Sequence, residues 1–149
     1  SDIIEKISSK NIDGVYGDLQ YVDFEKTDKV IRNWKSCDFN YKLLRKGWMP
    51  PHPTFFLKKG VYDKHGGFDL NYSISSDYDF MIRVLTDNSL KFCYLPRVIS
   101  KMRVGGSSNR SLRNILKKSK EDYIIIKKNN VGNFITLVRK NLLKIHQYF

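Results

Sequence analysis

The sequence predicts a single α/β domain with a helical C-terminal end. Segments that alternate apolar and polar residues, as strands do, are interspersed with segments whose apolar residues recur at helical spacing. The 149 residues are 41% hydrophobic and 28% charged, which is the composition of an ordinary globular protein. A chain of this length can bury one core without disulfides or metals to staple it.

The N-terminal third predicts a short helix followed by a hairpin. Residues 2–9 have the spacing of an amphipathic helix. Residues 14–23 are rich in valine, tyrosine and leucine, residues 30–34 form a second plausible strand, and a polar turn at residues 25–28 separates the two segments. This pattern favours two antiparallel strands.

A second helix is expected to lead into a stiff loop. It opens at residue 37 or 38, runs to about residue 45 and ends at Gly47. In the following residues, 49–54, three prolines fix φ and keep the residues before them out of the helical region. We therefore expect His52 to be presented on an extended, rigid segment that suits contact with a ligand.

Beyond the loop, a buried strand, a helix and a sharp turn are expected. Residues 55–57 form a short apolar run, and residues 58–64 have helical character. Gly66 and Gly67 then supply the backbone freedom that a sharp turn requires.

The next helix carries two carboxylates in its first turn. Ser75 or Ser76 can act as its N-cap, which places Asp77 and Asp79 just inside the helix. A carboxylate held in this way can accept a proton from a bound hydroxyl within hydrogen-bond reach. Apolar residues at helical spacing should face the core: Phe80, Met81, Val84 and Leu85.

Simpler interpretations of these residues remain open at this point. An aspartate in the first turn is usually a cap that complements the helix dipole. His52 beside prolines is more often a surface or turn residue than a ligand-binding one. Asp18, within the first strand, can contact a ligand or simply end a ladder.

The segment after the acidic helix predicts two strands and a polar loop. Residues 90–95 and 98–104 are separated by Pro96 and are expected to pair as an antiparallel edge. The glycine- and serine-rich residues 105–110 open the next helix and can cradle a phosphate at its N-terminus. An ordinary loop with Ser108 as a cap is the alternative.

Residues 111–149 are expected to form a basic, amphipathic helical extension, with residues 1–110 as the main unit. A break at residues 129–132 separates two apolar stripes. The last forty residues hold about ten lysines and arginines against two acidic residues. We expect the stripes to pack on the domain or on a second copy, or to lie on an anionic membrane. They consist of Leu112, Ile115, Leu116, Tyr123 and Ile126, and of Phe134, Leu137, Val138, Leu142, Ile145 and Phe149.

The net charge and the two cysteines limit the functions that we expect for this chain. A formal net charge of +12 favours anionic partners. Nucleic acid is a poor candidate, because zinc-finger spacing, RNP-type aromatic motifs and a recognisable recognition helix are missing. Cys37 and Cys93 lack metal-ligand spacing, and no apolar run approaches the length of about 18 residues that a membrane span requires. A reduced, cytoplasmic chain, peripheral to the membrane at most, is expected.

Four motifs in order carry a resemblance to a known family. The runs MPPHPTFF, GGFD, SSDYDFMIRV and MRVGGSSNRS resemble the second half of the catalytic domain of family 2 glycosyltransferases. The chain is similar in particular to bacterial enzymes of capsule, colanic-acid or lipopolysaccharide synthesis, over about residues 13–122. The resemblance implies a GT-A fold and inverting transfer of a sugar from a nucleotide-sugar to a saccharide or lipid-linked acceptor.

The resemblance also implies roles for individual residues. Asp77 matches the general base, and Asp79 matches a supporting acidic residue. The region that faces the acceptor contains Trp48, His52, Gly67, Phe68 and Asp69. The loop that would face the donor phosphates contains Gly106, Ser107, Asn109 and Arg110.

The chain departs from the family pattern on the donor side. It has no match to the Asp-x-Asp motif that holds a divalent cation, since Asp77-Tyr78-Asp79 has that spacing but matches the base motif. The histidine that often stands near the phosphate loop is replaced by the run from Val104 to Gly106. We therefore expect an acceptor-side fragment, with the ligands for Mn²⁺ or Mg²⁺ mostly outside it.

The favoured hypothesis is an inverting glycosyltransferase of bacterial surface polysaccharide synthesis. The alternatives are a non-catalytic basic module that binds nucleic acid or an anionic membrane, and a fragment that folds and forms a homodimer through its C-terminal helices.

Overall fold

The computed structural model describes residues 2–8, 11–104 and 112–143. In chain order the elements are α1 (Asp2–Ser8), β1 (Gly14–Val22), β2 (Val30–Trp34), α2 (Tyr41–Arg45), a 3₁₀ turn (His52–Thr54), β3 (Phe56–Leu57), α3 (Lys59–His65), α4 (Ser76–Leu85), β4 (Phe92–Arg103), α5 (Leu112–Lys128) and α6 (Phe134–Leu143).

Strand β1 is the centre of a four-stranded mixed sheet. It pairs antiparallel with β2 through its second half and with β3 through its first two residues, and it pairs parallel with β4 along its whole length. Because Gly14 pairs with both Leu57 and Phe92, β3 and β4 lie on opposite edges of β1. The sheet and its flanking helices confirm the α/β class, and β1 with β2 confirms the hairpin.

Strand β4 shows that the expected antiparallel pair at residues 90–95 and 98–104 was wrong. The segment is one strand, and it runs parallel to β1. Consecutive residues of β1 pair with Leu95 and Val98, so the ladder skips two residues, one of which is Pro96. A proline has no N–H for the ladder and is tolerated at such a bulge. Pro96 therefore interrupts the pairing without ending the strand.

The proline-rich loop also differs from the expectation. His52 begins a 3₁₀ turn and does not lie on an extended segment. Pro51 precedes the turn with φ −65° and Pro53 lies inside it, where a missing N–H costs nothing. The buried hydroxyl of Thr54 lies 2.9 Å from the carbonyl of Gly17 and so holds the turn against β1.

The ends of the neighbouring helices and strands are shifted from the expected positions. α2 begins only at Tyr41, because the Asn40 side chain accepts a hydrogen bond from the Lys42 amide at 2.9 Å and caps the helix there. The expected buried strand at residues 55–57 shrinks to β3, in which Phe56 is exposed. α3 ends at Gly66, which has a positive φ of 70°, as the glycine pattern predicted.

Helix α4 is the centre of the core. Seven of its ten residues are buried, including the four apolar residues that the spacing predicted to face inward. The same cluster includes Tyr16 of β1 and Leu44 of α2, and it extends to both C-terminal helices through Ile125, Ile126, Val131 and Leu137. α5 and α6 are thus packed on the core of residues 1–110. The break between them lies where the sequence predicted it, with Asn130 at φ 54°.

A buried ion pair joins the two C-terminal helices. The Asp122 carboxylate lies 2.7 Å from the Lys140 ammonium and 3.0 Å from that of Lys118. Burial acts to raise the pKa of Asp122, but the two lysines outweigh it and hold the pKa below its usual value. The Lys140 ammonium also lies 3.2 Å from the centroid of the Tyr78 ring, which ties α6 to α4.

The expected packing of the apolar stripes is only partly correct. Ile126 and Leu137 are buried, whereas seven other stripe residues lie open to solvent. On α5 these are Leu112, Ile115, Leu116 and Tyr123, and on α6 they are Phe134, Val138 and Leu142; together we call them the apolar face. The stripe residues Ile145 and Phe149 lie outside the described residues. Among the described helices, none combines the length and apolar character needed to cross a bilayer.

Candidate functional site

Asp77 lies in the first turn of α4 and is partly exposed. One of its carboxylate oxygens accepts a hydrogen bond of 2.7 Å from the amide of Tyr78. The ion pairs of the described residues do not involve Asp77. Its carboxylate is therefore available to a ligand from solvent, as a general base must be.

Asp79 is completely buried and is engaged inside the protein. Its Oδ2 accepts a hydrogen bond of 2.8 Å from Nε of Arg83, one helical turn later. The Lys128 ammonium lies 4.0 Å from its other oxygen. These contacts give Asp79 a positioning role, and a supporting role in catalysis stays a prediction.

Arg83 links Asp79 to the turn at Gly66 and Gly67, which we call the glycine turn. Its guanidinium donates hydrogen bonds to the carbonyl of His65 and, at 2.7 Å, to that of Gly67. Arg83 is four residues from Asp79, which is a spacing that brings side chains together on a helix. The sequence therefore contained the signal for this pair, although not for the two carbonyls that Arg83 binds.

The loop between the glycine turn and α4 is tied to α5. The Asp69 side chain accepts a hydrogen bond of 3.0 Å from the Asn71 amide, and it lies 3.7 Å from the Lys128 ammonium. The Asn71 amide, and to a smaller extent Lys128, hold the pKa of Asp69 below its usual value. Asp69 thereby shapes its own loop, and Lys128 contacts both Asp69 and Asp79.

Glu121 caps α4 from a distant part of the chain. Its two carboxylate oxygens accept hydrogen bonds of 3.3, 3.0 and 2.9 Å from the amides of Ser73, Ile74 and Ser75. Ser75 occupies the N-cap position, but its side chain makes no capping hydrogen bond, which corrects the expected serine cap. Burial acts to raise the pKa of Glu121, but these hydrogen bonds outweigh burial and lower it overall. No local pattern identifies this residue.

Aromatic rings form a wall close to the start of α4. The ring of His52 meets that of Phe68 edge to face, with centroids 5.7 Å apart, and Phe68 lies 5.3 Å from Phe80. Phe80 is three residues after Asp77, so the two share a face of α4. The structure therefore connects His52 and Phe68 to α4 through Phe80. An acceptor-binding role for these residues stays a prediction.

Trp48 lies in a different environment from His52. Its ring contacts those of Tyr16 and Phe39, at centroid distances of 6.1 and 6.3 Å, and it packs partly buried against the core. These contacts give Trp48 a packing role. An acceptor-binding role for it stays a prediction.

Asp18 of β1 is held by protein partners opposite the bulge of β4. Its Oδ1 accepts hydrogen bonds of 2.8 Å from the Ser36 amide and of 2.8 Å from the Tyr94 hydroxyl. Burial, together with the bond to Asp18, raises the pKa of Tyr94. Asp18 does not end the ladder, which continues to Val22, but these contacts give it a structural role. Contact with a ligand stays a prediction.

The loop that is expected to face the donor phosphates cannot be placed. Gly106, Ser107, Asn109 and Arg110 all lie outside the described residues. Within the described ranges, no three histidine, cysteine, aspartate or glutamate side chains are grouped so that they could hold a metal ion.

The chain was compared with known proteins. It matches no protein-family model and no curated protein.

Proposed function

We propose that this chain forms the acceptor-side part of an inverting glycosyltransferase of bacterial surface polysaccharide synthesis, within a GT-A domain. One observation carries the proposal. Of the two carboxylates in the first turn of α4, Asp77 is accessible and free of ion pairs among the described residues, whereas Asp79 is buried against Arg83. Three residues after Asp77 on α4, Phe80 contacts Phe68, whose ring in turn meets that of His52.

In the proposed reaction, Asp77 takes the proton from an acceptor hydroxyl. The resulting oxygen attacks the anomeric carbon of a nucleotide-sugar, and the bond from that carbon to the diphosphate oxygen breaks. The aromatic wall offers an apolar surface for the acceptor ring, while the imidazole of His52 can hydrogen-bond a neighbouring hydroxyl. Positioning by Asp79 and Arg83 keeps the glycine turn, and with it Phe68, in place.

The resemblance to family 2 glycosyltransferases also implies a divalent cation, which would stabilise the leaving diphosphate. The described residues offer no ligand cluster for it. The proposed steps therefore use only side chains of this chain.

The variant Asp77→Asn tests the proposal in the full-length protein that contains these residues. Release of nucleoside diphosphate is measured with a panel of nucleotide-sugars and acceptor saccharides. Because general-base catalysis typically contributes about 10² to 10⁴ in rate, we expect a loss on that scale with an unchanged melting temperature. Asp63→Asn, which changes an exposed carboxylate of α3, is the matched control and should keep full activity. Turnover near the wild-type rate in Asp77→Asn would place the base elsewhere.

A second candidate function is attachment to an anionic membrane surface. It is favoured by the apolar face, in which Leu112 is 79%, Leu116 72% and Phe134 63% exposed. The Tyr123 and Phe134 rings lie 6.3 Å apart and connect the α5 and α6 parts of this face. Exposed lysines flank it, which is the pattern of a helix pair that lies on anionic lipid.

A further inference from the structure

An open cleft lies between the end of α2 and the start of α6. Its volume is about 430 Å³, and Asp77, His52 and Phe68 are not among its lining residues. Among the described residues, those that line it are mostly polar: Arg45, Asn130, Gly132, Asn133, Ile135, Thr136 and Arg139.

The floor of this cleft is rigid, because α2 and α6 meet backbone to backbone. The hydroxyl of Thr136 donates a hydrogen bond of 3.0 Å to the carbonyl of Arg45. Gly47 adopts φ 80°, and a Cβ there would lie 2.6 Å from the backbone nitrogen of Lys140. Arg45 and Arg139 therefore project from two backbones whose relative position is fixed.

The cleft concentrates positive charge. Arg45 and Arg139 are exposed, and the ion pairs within the described part of the chain include neither of them. A guanidinium presents several N–H donors in a plane and suits phosphate oxygens. The amides of Asn130 and Asn133 add neutral donors at the same place. The chemistry of the lining is complementary to an oxyanion.

An apolar crevice of about 320 Å³ borders this cleft at Arg139. The described lining of the crevice also includes Lys46, Leu142 and Leu143. A basic cleft beside an apolar crevice matches a ligand that has an anionic head and a hydrocarbon tail.

We infer that the two adjacent cavities bind an amphiphile whose phosphate head carries a net negative charge. The phosphate lies between Arg45 and Arg139, and the hydrocarbon chain lies along Leu142 and Leu143. This site is separate from Asp77 and stands independently of the proposed transferase activity.

The test is an NMR titration of the ¹⁵N-labelled chain at constant ionic strength. The probes are dihexanoyl phosphatidic acid below its micelle concentration, inorganic phosphate and dihexanoyl phosphatidylcholine. We expect phosphatidic acid to shift the amides of Gly132, Asn133 and Thr136 saturably. Inorganic phosphate should shift the same amides with an affinity about tenfold weaker, because it lacks the apolar contact. The zwitterionic lipid should shift them least.

Variants separate the two halves of the site. Arg45→Gln and Arg139→Gln should each weaken phosphatidic acid binding by about tenfold or more, since each removes charge-assisted hydrogen bonds. Leu143→Ser should weaken phosphatidic acid binding by about tenfold and leave phosphate binding unchanged. Arg113→Gln, which removes one exposed charge from α5 outside the cleft, is the matched control.

Three outcomes would overturn the inference. The first is an absence of saturable shifts at Gly132 and Asn133 with phosphatidic acid. The second is equal weakening by Arg113→Gln and Arg139→Gln, which would indicate attraction by net charge alone. The third is phosphate binding as tight as phosphatidic acid binding, with Leu143→Ser having no effect, which would indicate a site for free phosphate.

Discussion

Asp77 and Asp79 are two residues apart in the same turn of α4, yet their surroundings differ. Asp79 points into the protein and binds Arg83, whereas Asp77 remains accessible. Helical geometry explains this difference, because positions two apart lie on different sides of a helix. The proposed function therefore depends on the solvent accessibility of the Asp77 carboxylate.

At the same scale, Glu121 is expected to contribute strongly to stability. Glu121→Gln replaces one acceptor oxygen by an amide that faces backbone N–H donors, and it removes a buried charge that accepts several hydrogen bonds. We expect the free energy of unfolding to fall by about 2 kcal/mol, measured by urea denaturation at pH 7. Glu5→Gln, at an exposed position of α1, should change it by less than about 0.5 kcal/mol. Equal stability of the two variants would show that the cap is dispensable.

The lowered pKa of Glu121 predicts a pH dependence with a defined sign. The ordinary value is 4.5, and the folded state holds the pKa below it. The unfolded state therefore binds the proton more tightly, so protonation favours unfolding. The contribution of Glu121 is complete above the ordinary value and is lost as pH falls through the folded pKa. Urea midpoints between pH 7 and pH 3 should fall less steeply in Glu121→Gln than in the wild type. Parallel pH profiles would contradict this assignment.

At the scale of elements, the docking of α2 on α6 depends on one glycine. Gly47 has a positive φ, and the backbone nitrogen of Lys140 lies so close that a side chain at position 47 would have no room. A glycine is needed here for two reasons. It ends α2 with a positive φ, and it allows the backbone of α6 to approach closely.

Gly47→Ala should therefore lower the free energy of unfolding by more than about 1 kcal/mol. Gly60→Ala is the matched control, because a Cβ at Gly60 meets nothing within 4 Å and Gly60 lies in α3. The control should be unchanged or more stable by up to about 1 kcal/mol. Chemical denaturation measures both variants. A Gly47→Ala protein as stable as the control would mean that α2 and α6 are not in close contact.

At the scale of the whole molecule, the C-terminal helices belong to the core. Removing residues 131–149 would delete Val131 and Leu137 from the core and would leave the buried Asp122 without Lys140. Asp122 would keep only Lys118 as a partner, and removing one cation from a buried ion-pair group is destabilising. Membrane attachment is therefore better tested at exposed side chains than by truncation.

The double variant Leu116→Gln with Phe134→Gln tests the apolar face. If this face lies on anionic lipid, co-sedimentation with phosphatidylglycerol vesicles should weaken by about tenfold, because two apolar side chains no longer enter the interface. Leu70→Gln, at a residue that is 90% exposed elsewhere on the surface, should bind like the wild type. Unchanged vesicle binding would exclude this role, and conversion of a dimer to a monomer in sedimentation would assign the face to self-association.

The sequence by itself determined the elements whose causes are local. The hairpin of β1 and β2, the inward side of α4 and the break after α5 follow from alternation, helical spacing and turn residues that act over a few positions. The resemblance implied only that His52 and Phe68 face an acceptor, whereas their ring contacts and the 3₁₀ turn are known from the tertiary structure alone.

Only the tertiary structure decided which distant groups meet. It paired β4 parallel to β1 across Pro96, placed Glu121 at the N-terminus of α4 and left most of the C-terminal apolar stripe exposed. Glu121 lies 46 residues from Ser75, so no local pattern can assign that contact. Spacing also cannot tell which apolar side of a helix finds a partner, because burial depends on the surfaces that the completed fold brings together.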